Sequence, residues 1–178
     1  MSQNSVTPVS LGTDRLSKLL VRYAIPAIVA TVTSALYNIT DSIFIGQGVG
    51  PLAMSGLGIC MPIMSITAAF GSMVGVGGSA LTSIRLGQGN KASAFRILGN
   101  VVLLNIIFGV VTMVACLLFL NKLLYLFGAS ADTIGYAREY MVVLLAGNVV
   151  THLYLGLNEI LRASGYPSKS MMVMLTAV

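Results

Sequence analysis

Apolar residues run almost unbroken along four stretches of the chain and begin a fifth, separated by short polar or glycine-rich joints. A helix needs about 20 mostly apolar residues to cross the hydrocarbon of a bilayer. The pattern therefore predicts spanning helices over 19–46, 51–84, 95–119 and 134–161, with 170–178 opening another. The joints read "GQGVG", "RLGQGNKASAFR", "FGASAD" and "RASGYPSK", in which glycine, serine and proline supply ordinary turn chemistry. The last run covers less than half a bilayer, and a helix stopping there would strand backbone groups at mid-membrane, so the sequence is expected to continue past Val178. The fold class is all-α: a polytopic membrane helix bundle with four complete spans and the start of a fifth. Residues 1–18 form an N-terminal segment outside the bilayer, and 19–178 form part of a membrane domain.

Composition agrees and charge adds an orientation. Charged residues make up 8% of the chain, against roughly 25% in soluble domains, while 56% are hydrophobic and the mean hydropathy is +0.91. Ten basic residues face five acidic ones, a surplus better read by position than as a nucleic-acid footprint. Arg15, Lys18, Arg22, Arg85, Lys91, Arg96, Arg162 and Lys169 fall on one side of a four-span topology; Lys122 and Arg138 fall on the other. The positive-inside rule then predicts a cytoplasmic N-terminus; the membrane is expected to be a plasma membrane, the inner membrane of a bacterium. The first apolar run exceeds the 7 to 15 residues of a signal peptide, so it is expected to be retained as a helix. Cys60 and Cys116 lie in apolar runs without a CxxC or a Cys/His cluster, which points to packing rather than to a disulfide or zinc site.

Asp41 is the exception inside an apolar span. Insertion scales assign a carboxylate at a helix centre about 2.5 to 3.5 kcal/mol, so a compensating environment is expected. Thr31, Ser34, Asn38 and Asp41 follow at intervals of three and four and share one face of the first helix, after Pro26. Such a stripe suits a cation or proton site, with Asp41 as its charge and possible sodium ligand; the competing reading is a carboxylate reaching water at the helix end. The fourth span carries Asn148, Thr151, Asn158 and Arg162 at helical spacing, either facing the first helix or hydrogen-bonding between helices, with Glu159 and Arg162 solvated or paired. The lone His152 fits a packing or hydrogen-bonding role. Gly71, Gly75, Gly77, Gly78 and Ser79 in the second span form a close-packing face, including GxxxG at Gly71 and Gly75. The serine–histidine pair Ser79 and His152 lacks a protease motif and no HExxH occurs, which argues against an intramembrane enzyme.

"IPAIVATVTSALYNITDSIFIGQGVGPLAMSGLGICMPI" resembles the first two helices of the multidrug and toxic compound extrusion transporters, and "ILRASGYPSKSMM" resembles their junction between helices 4 and 5. The resemblance runs from about Leu16 to the end. It implies a complete protein of twelve helices in two six-helix lobes, of which this chain is the N-terminal part of the N-lobe. It further implies export of cationic or amphiphilic drugs in exchange for Na+ or H+, with no other cofactor, the bilayer and the remaining helices being its partners. Asp41 matches the family's cation-site carboxylate, Asn38 belongs to the same motif, and Asn158 matches a polar residue of that site. Thr31, Ser34, Tyr37, Asn148 and Thr151 are the cavity-lining candidates. Two other readings stay open: a related flippase of lipid-linked oligosaccharides, which would be expected to have a more cationic cavity, and a membrane scaffold that transports nothing.

Overall fold

The computed structural model describes residues 15–177. Most of the N-terminal segment predicted over 1–18, including Asp14, lies outside the described residues, as does Val178. The described part folds as α1 (Leu16–Gly48), α2 (Pro51–Gly87), α3 (Lys91–Leu126), α4 (Ile134–Ala146), α5 (Asn148–Ala163) and α6 (Pro167–Ala177). α1, α2 and α3 are each long and apolar enough to cross a membrane. α4 and α5 meet that test as one span bent by 56°. The chain is thus a multi-pass membrane protein.

Short joints make neighbouring spans antiparallel. Gly50 closes the first one at φ +115° and ψ 179°, a conformation open to glycine alone, and Pro51 then starts α2 at its first turn, where a missing N–H costs nothing. Asn90 caps α3 by accepting the Ser93 amide at 3.0 Å. Because that cap precedes the apolar stretch and the helix continues through Asn121 and Lys122, α3 overruns the predicted 95–119 at both ends. The helix predicted over 134–161 instead divides at Gly147, whose amide bonds back to the Leu144 carbonyl at 3.1 Å.

α2 is the hub, touching α1, α3, α4 and α5. Its buried residues, from Ala53 through Cys60, Thr67 and Gly75 to Thr82, recur every three or four positions and so face the bundle. Packing changes character along its length. Toward the α1–α2 joint, Cys60 and Ile63 interlock with Leu120, Leu124, Ala137, Met141 and Leu145 of α3 and α4. Toward the other end α5 lies on a seam of small residues: a Cβ placed on Gly75 would stand 2.7 Å from the Gly156 Cα, and one on Gly71 3.2 Å from the His152 ring. With no hydrophobic drive between helices in lipid, such close backbone approach supplies the association energy through dispersion. Cys60, fully buried, and half-buried Cys116 are free thiols in this packing.

Candidate cation site and its cleft

α1 stands apart from most of the bundle. Among the described residues it packs against α2 and α6, while its backbone keeps clear of α3, α4 and α5. The separation leaves a cleft between α1 and α4 at the end that carries the α1–α2 joint. Its mouth is a cavity of about 370 Å³ lined by Ile45 of α1, Val49 just past its end, Leu57 of α2, and Tyr136, Glu139 and Tyr140 of α4.

Asp41 lies one turn before Ile45, on the same face of α1. It is half-buried. Tyr37 continues that face one turn further in, and both residues are within electrostatic reach of Tyr140 across the cleft. A carboxylate on the face of α1 that leads to a cavity lined by Tyr136, Glu139 and Tyr140 is an arrangement that attracts a cation, the carboxylate supplying the charge. Tyr136, Glu139 and Tyr140 carried a signal of their own, since spacings of three and four put them on one side of α4.

The other members of the predicted stripe take different positions. Asn38 is exposed and lines a separate groove of about 600 Å³ between α1 and the start of α2, with Ser42 and Gln47. The Thr31 hydroxyl donates to the Ala27 carbonyl at 2.9 Å, bonding its own helix, and Ser34 is half-buried.

The polar residues of α5 are engaged away from Asp41. Asn148 is buried and its Nδ2 donates to the Gly109 carbonyl at 3.0 Å and to Thr112 Oγ1 at 2.9 Å, tying α5 to α3. Thr151 is exposed and donates to the Gly147 carbonyl at 3.3 Å. His152, fully buried, donates from Nδ1 to the Asn148 carbonyl at 3.0 Å, which fixes its tautomer. Asn158 joins α5 to α6: its Nδ2 donates to the Ser170 carbonyl at 3.2 Å and its Oδ1 accepts the Ser170 hydroxyl at 2.5 Å. Glu159 and Arg162 form an ion pair one turn apart. Asn158 lies eighteen positions beyond Tyr140, and the helical rise with its 56° bend separates the two by about 24 Å. The arrangement brings Asp41 and Tyr37 within reach of Tyr140, and not of Asn158.

A family model described as MatE matches residues 26–178. The chain belongs to the MATE family. A multidrug export protein MepA of Staphylococcus haemolyticus is 28% identical over 166 residues, covering 90% of this chain and 36% of that protein. A solved outward-facing conformation of a multidrug resistance MATE family transporter superposes with a TM-score of 0.83 at 30% identity, covering 89% of this chain and 35% of the other. A crystal structure of a MATE in its straight conformation gives a TM-score of 0.81, also at 30% identity and with 89% and 35% covered. This MATE chain thus spans about a third of the length of the relatives it matches.

Proposed function

We propose that this MATE chain is the N-terminal part of the N-lobe of a twelve-helix, two-lobe antiporter that exports cationic or amphiphilic drugs against Na+ or H+. Its N-terminus lies in the cytoplasm, where the basic joints belong by the positive-inside rule, and the membrane is the inner membrane of a bacterium. The observation that carries the reading is Asp41, half-buried in a span and set across a cleft from Tyr140.

Closing a cleft over an ionised, unpaired carboxylate costs several kcal/mol, while closing it over a neutralised one costs far less. A proton on Asp41, or a sodium ion held by its oxygens and a neighbouring hydroxyl, therefore biases the lobe toward its closed form. At about 2.5 to 3.5 kcal/mol, such neutralisation shifts a two-state equilibrium by about 70- to 400-fold. A cationic drug competes for the same negative charge, so ion and drug occupy the cleft in alternation, and exchange follows from differential affinity for the two forms. The cleft's carboxylates, Asp41 and Glu139, favour cationic cargo over the anionic carrier lipid of an oligosaccharide flippase.

Ethidium efflux from vesicles holding the full-length protein, under separately imposed sodium and proton gradients, tests this. One of the two gradients should drive efflux, and Asp41→Asn should abolish it with expression and membrane insertion unchanged. Efflux by the Asp41→Asn protein at the native rate would overturn the coupling role.

A further inference from the structure

Among the described residues that line the mouth of the cleft between α1 and α4, Glu139 alone carries a charge. It is exposed and makes no ion pair among the described residues. Its chain neighbour Tyr140 lines the same mouth and is within electrostatic reach of Asp41, so the two carboxylates stand at successive depths of one cleft. Much of the remaining lining is apolar, Ile45, Val49 and Leu57 included, and low-dielectric walls focus the field of a charge placed between them.

Neighbouring charges leave that field intact. Arg138 precedes Glu139 in the chain but lines a different cavity, of about 340 Å³, together with Lys122 of α3. Successive helix positions point about 100° apart, which puts the two charged residues of α4 on different flanks. α2 contributes Leu57 to the mouth and no charge. Asp132, in the joint between α3 and α4, lies at the same end of the bundle and adds a further negative charge. Lys122 and Arg138, the basic residues of this end, thus share one flank while the cleft keeps a carboxylate.

We propose, on the reading that Asp41 is the cation site, that Glu139 is the steering residue of the cleft: it concentrates cations at the mouth and speeds their passage inward without holding them once bound. Position divides the two roles. Asp41 is half-buried within a span, where a bound cation relieves a costly charge, whereas Glu139 is exposed at the rim and loses little hydration to a passing ion. A rim charge acts on the association rate and its salt dependence, and a buried one on dissociation. Over about 10 Å, roughly one helix spacing, a unit charge changes the occupancy of a cation by about two- to fifteenfold between the dielectric of water and that of a protein surface.

The test is stopped-flow fluorescence of ethidium mixed with the purified full-length protein in detergent, at ionic strengths of about 0.01 M and about 1 M, where the Debye length is about 30 Å and about 3 Å. At low salt Glu139→Gln should slow association about two- to fifteenfold with dissociation unchanged, Glu139→Asp should keep the native rate, and Arg138→Gln should hold or raise it. At high salt the wild type should slow to the rate of Glu139→Gln. Matched helical content and monodispersity establish that each variant is folded. Wild-type association that ignores salt, native association by Glu139→Gln at low salt, a deficit that persists at high salt, or a change confined to dissociation would overturn the steering role. Asp41→Asn tells the two levels apart, since it should lose equilibrium affinity for ethidium. Native affinity in Asp41→Asn, or no ethidium binding by the wild type, would overturn the cation site itself and the steering role with it.

Discussion

Replacing Gly75 by alanine adds one methyl group at the tightest point of the α2–α5 seam. Its Cβ would stand 2.7 Å from the Gly156 Cα and 3.2 Å from the Gly156 carbonyl oxygen. The first distance falls about 0.7 Å short of the 3.4 Å at which ordinary contact begins. The obstructing atoms are backbone, so no rotamer relieves the clash and the helices must part. Overpacking of this kind costs about 1–3 kcal/mol, to which the separation adds lost dispersion along neighbouring contacts. Gly77, two residues on, provides the control, because a Cβ there meets nothing within 4 Å. Alanine at that position gains the helix preference of alanine over glycine, about 0.5–1 kcal/mol. Thermal unfolding of the full-length protein in one detergent should therefore move in opposite directions for the two variants, Gly75→Ala down and Gly77→Ala level or up. Equal stability of the two would refute the assignment of that seam as a close backbone contact.

Two further substitutions probe the joints. Asn158→Leu removes both hydrogen bonds to Ser170 and should cost about 0.6–1.7 kcal/mol, with faster amide exchange confined to the first turns of α6 as the readout. Gly50→Ala forces a side chain onto φ +115° and should destabilise by about 1–3 kcal/mol, measured by thermal unfolding against Gly48→Ala, where φ is not positive and no atom lies within 4 Å of the added Cβ.

The membrane spans were legible because apolar length alone decides which segments can cross a bilayer, and that quantity is local. What hydropathy does not carry is backbone geometry. Nothing in the apolar count over 134–161 distinguishes a straight helix from one bent at Gly147, since glycine is common in membrane helices and only packing shows whether it bends one. The same limit applies to α3, whose ends follow the Asn90 cap and the helix-tolerant Asn121 and Lys122 rather than the edge of the apolar stretch. Asp41 stood out in the sequence as a costly charge in an apolar run. Its neighbours across the cleft did not, because which helix faces α1 is a property of the assembled bundle. The spacing of Tyr136, Glu139 and Tyr140 puts them on one side of α4, but that this side faces the cleft emerges only with the fold, while Asn148, polar and correctly spaced, is consumed by Gly109 and Thr112 of α3.

The elbow at Gly147 sets a lever arm. α4 has thirteen residues and so extends about 20 Å from the bend, and at 56° its far tip lies about 16 Å off the line of α5, more than the diameter of a helix. Each 10° of straightening or further bending sweeps that tip, with Tyr136 and Glu139 near it, sideways by about 3 Å. The width of the vestibule is thus governed from a glycine that forms no part of its lining, and about 10° of bend there is worth the thickness of an aromatic ring.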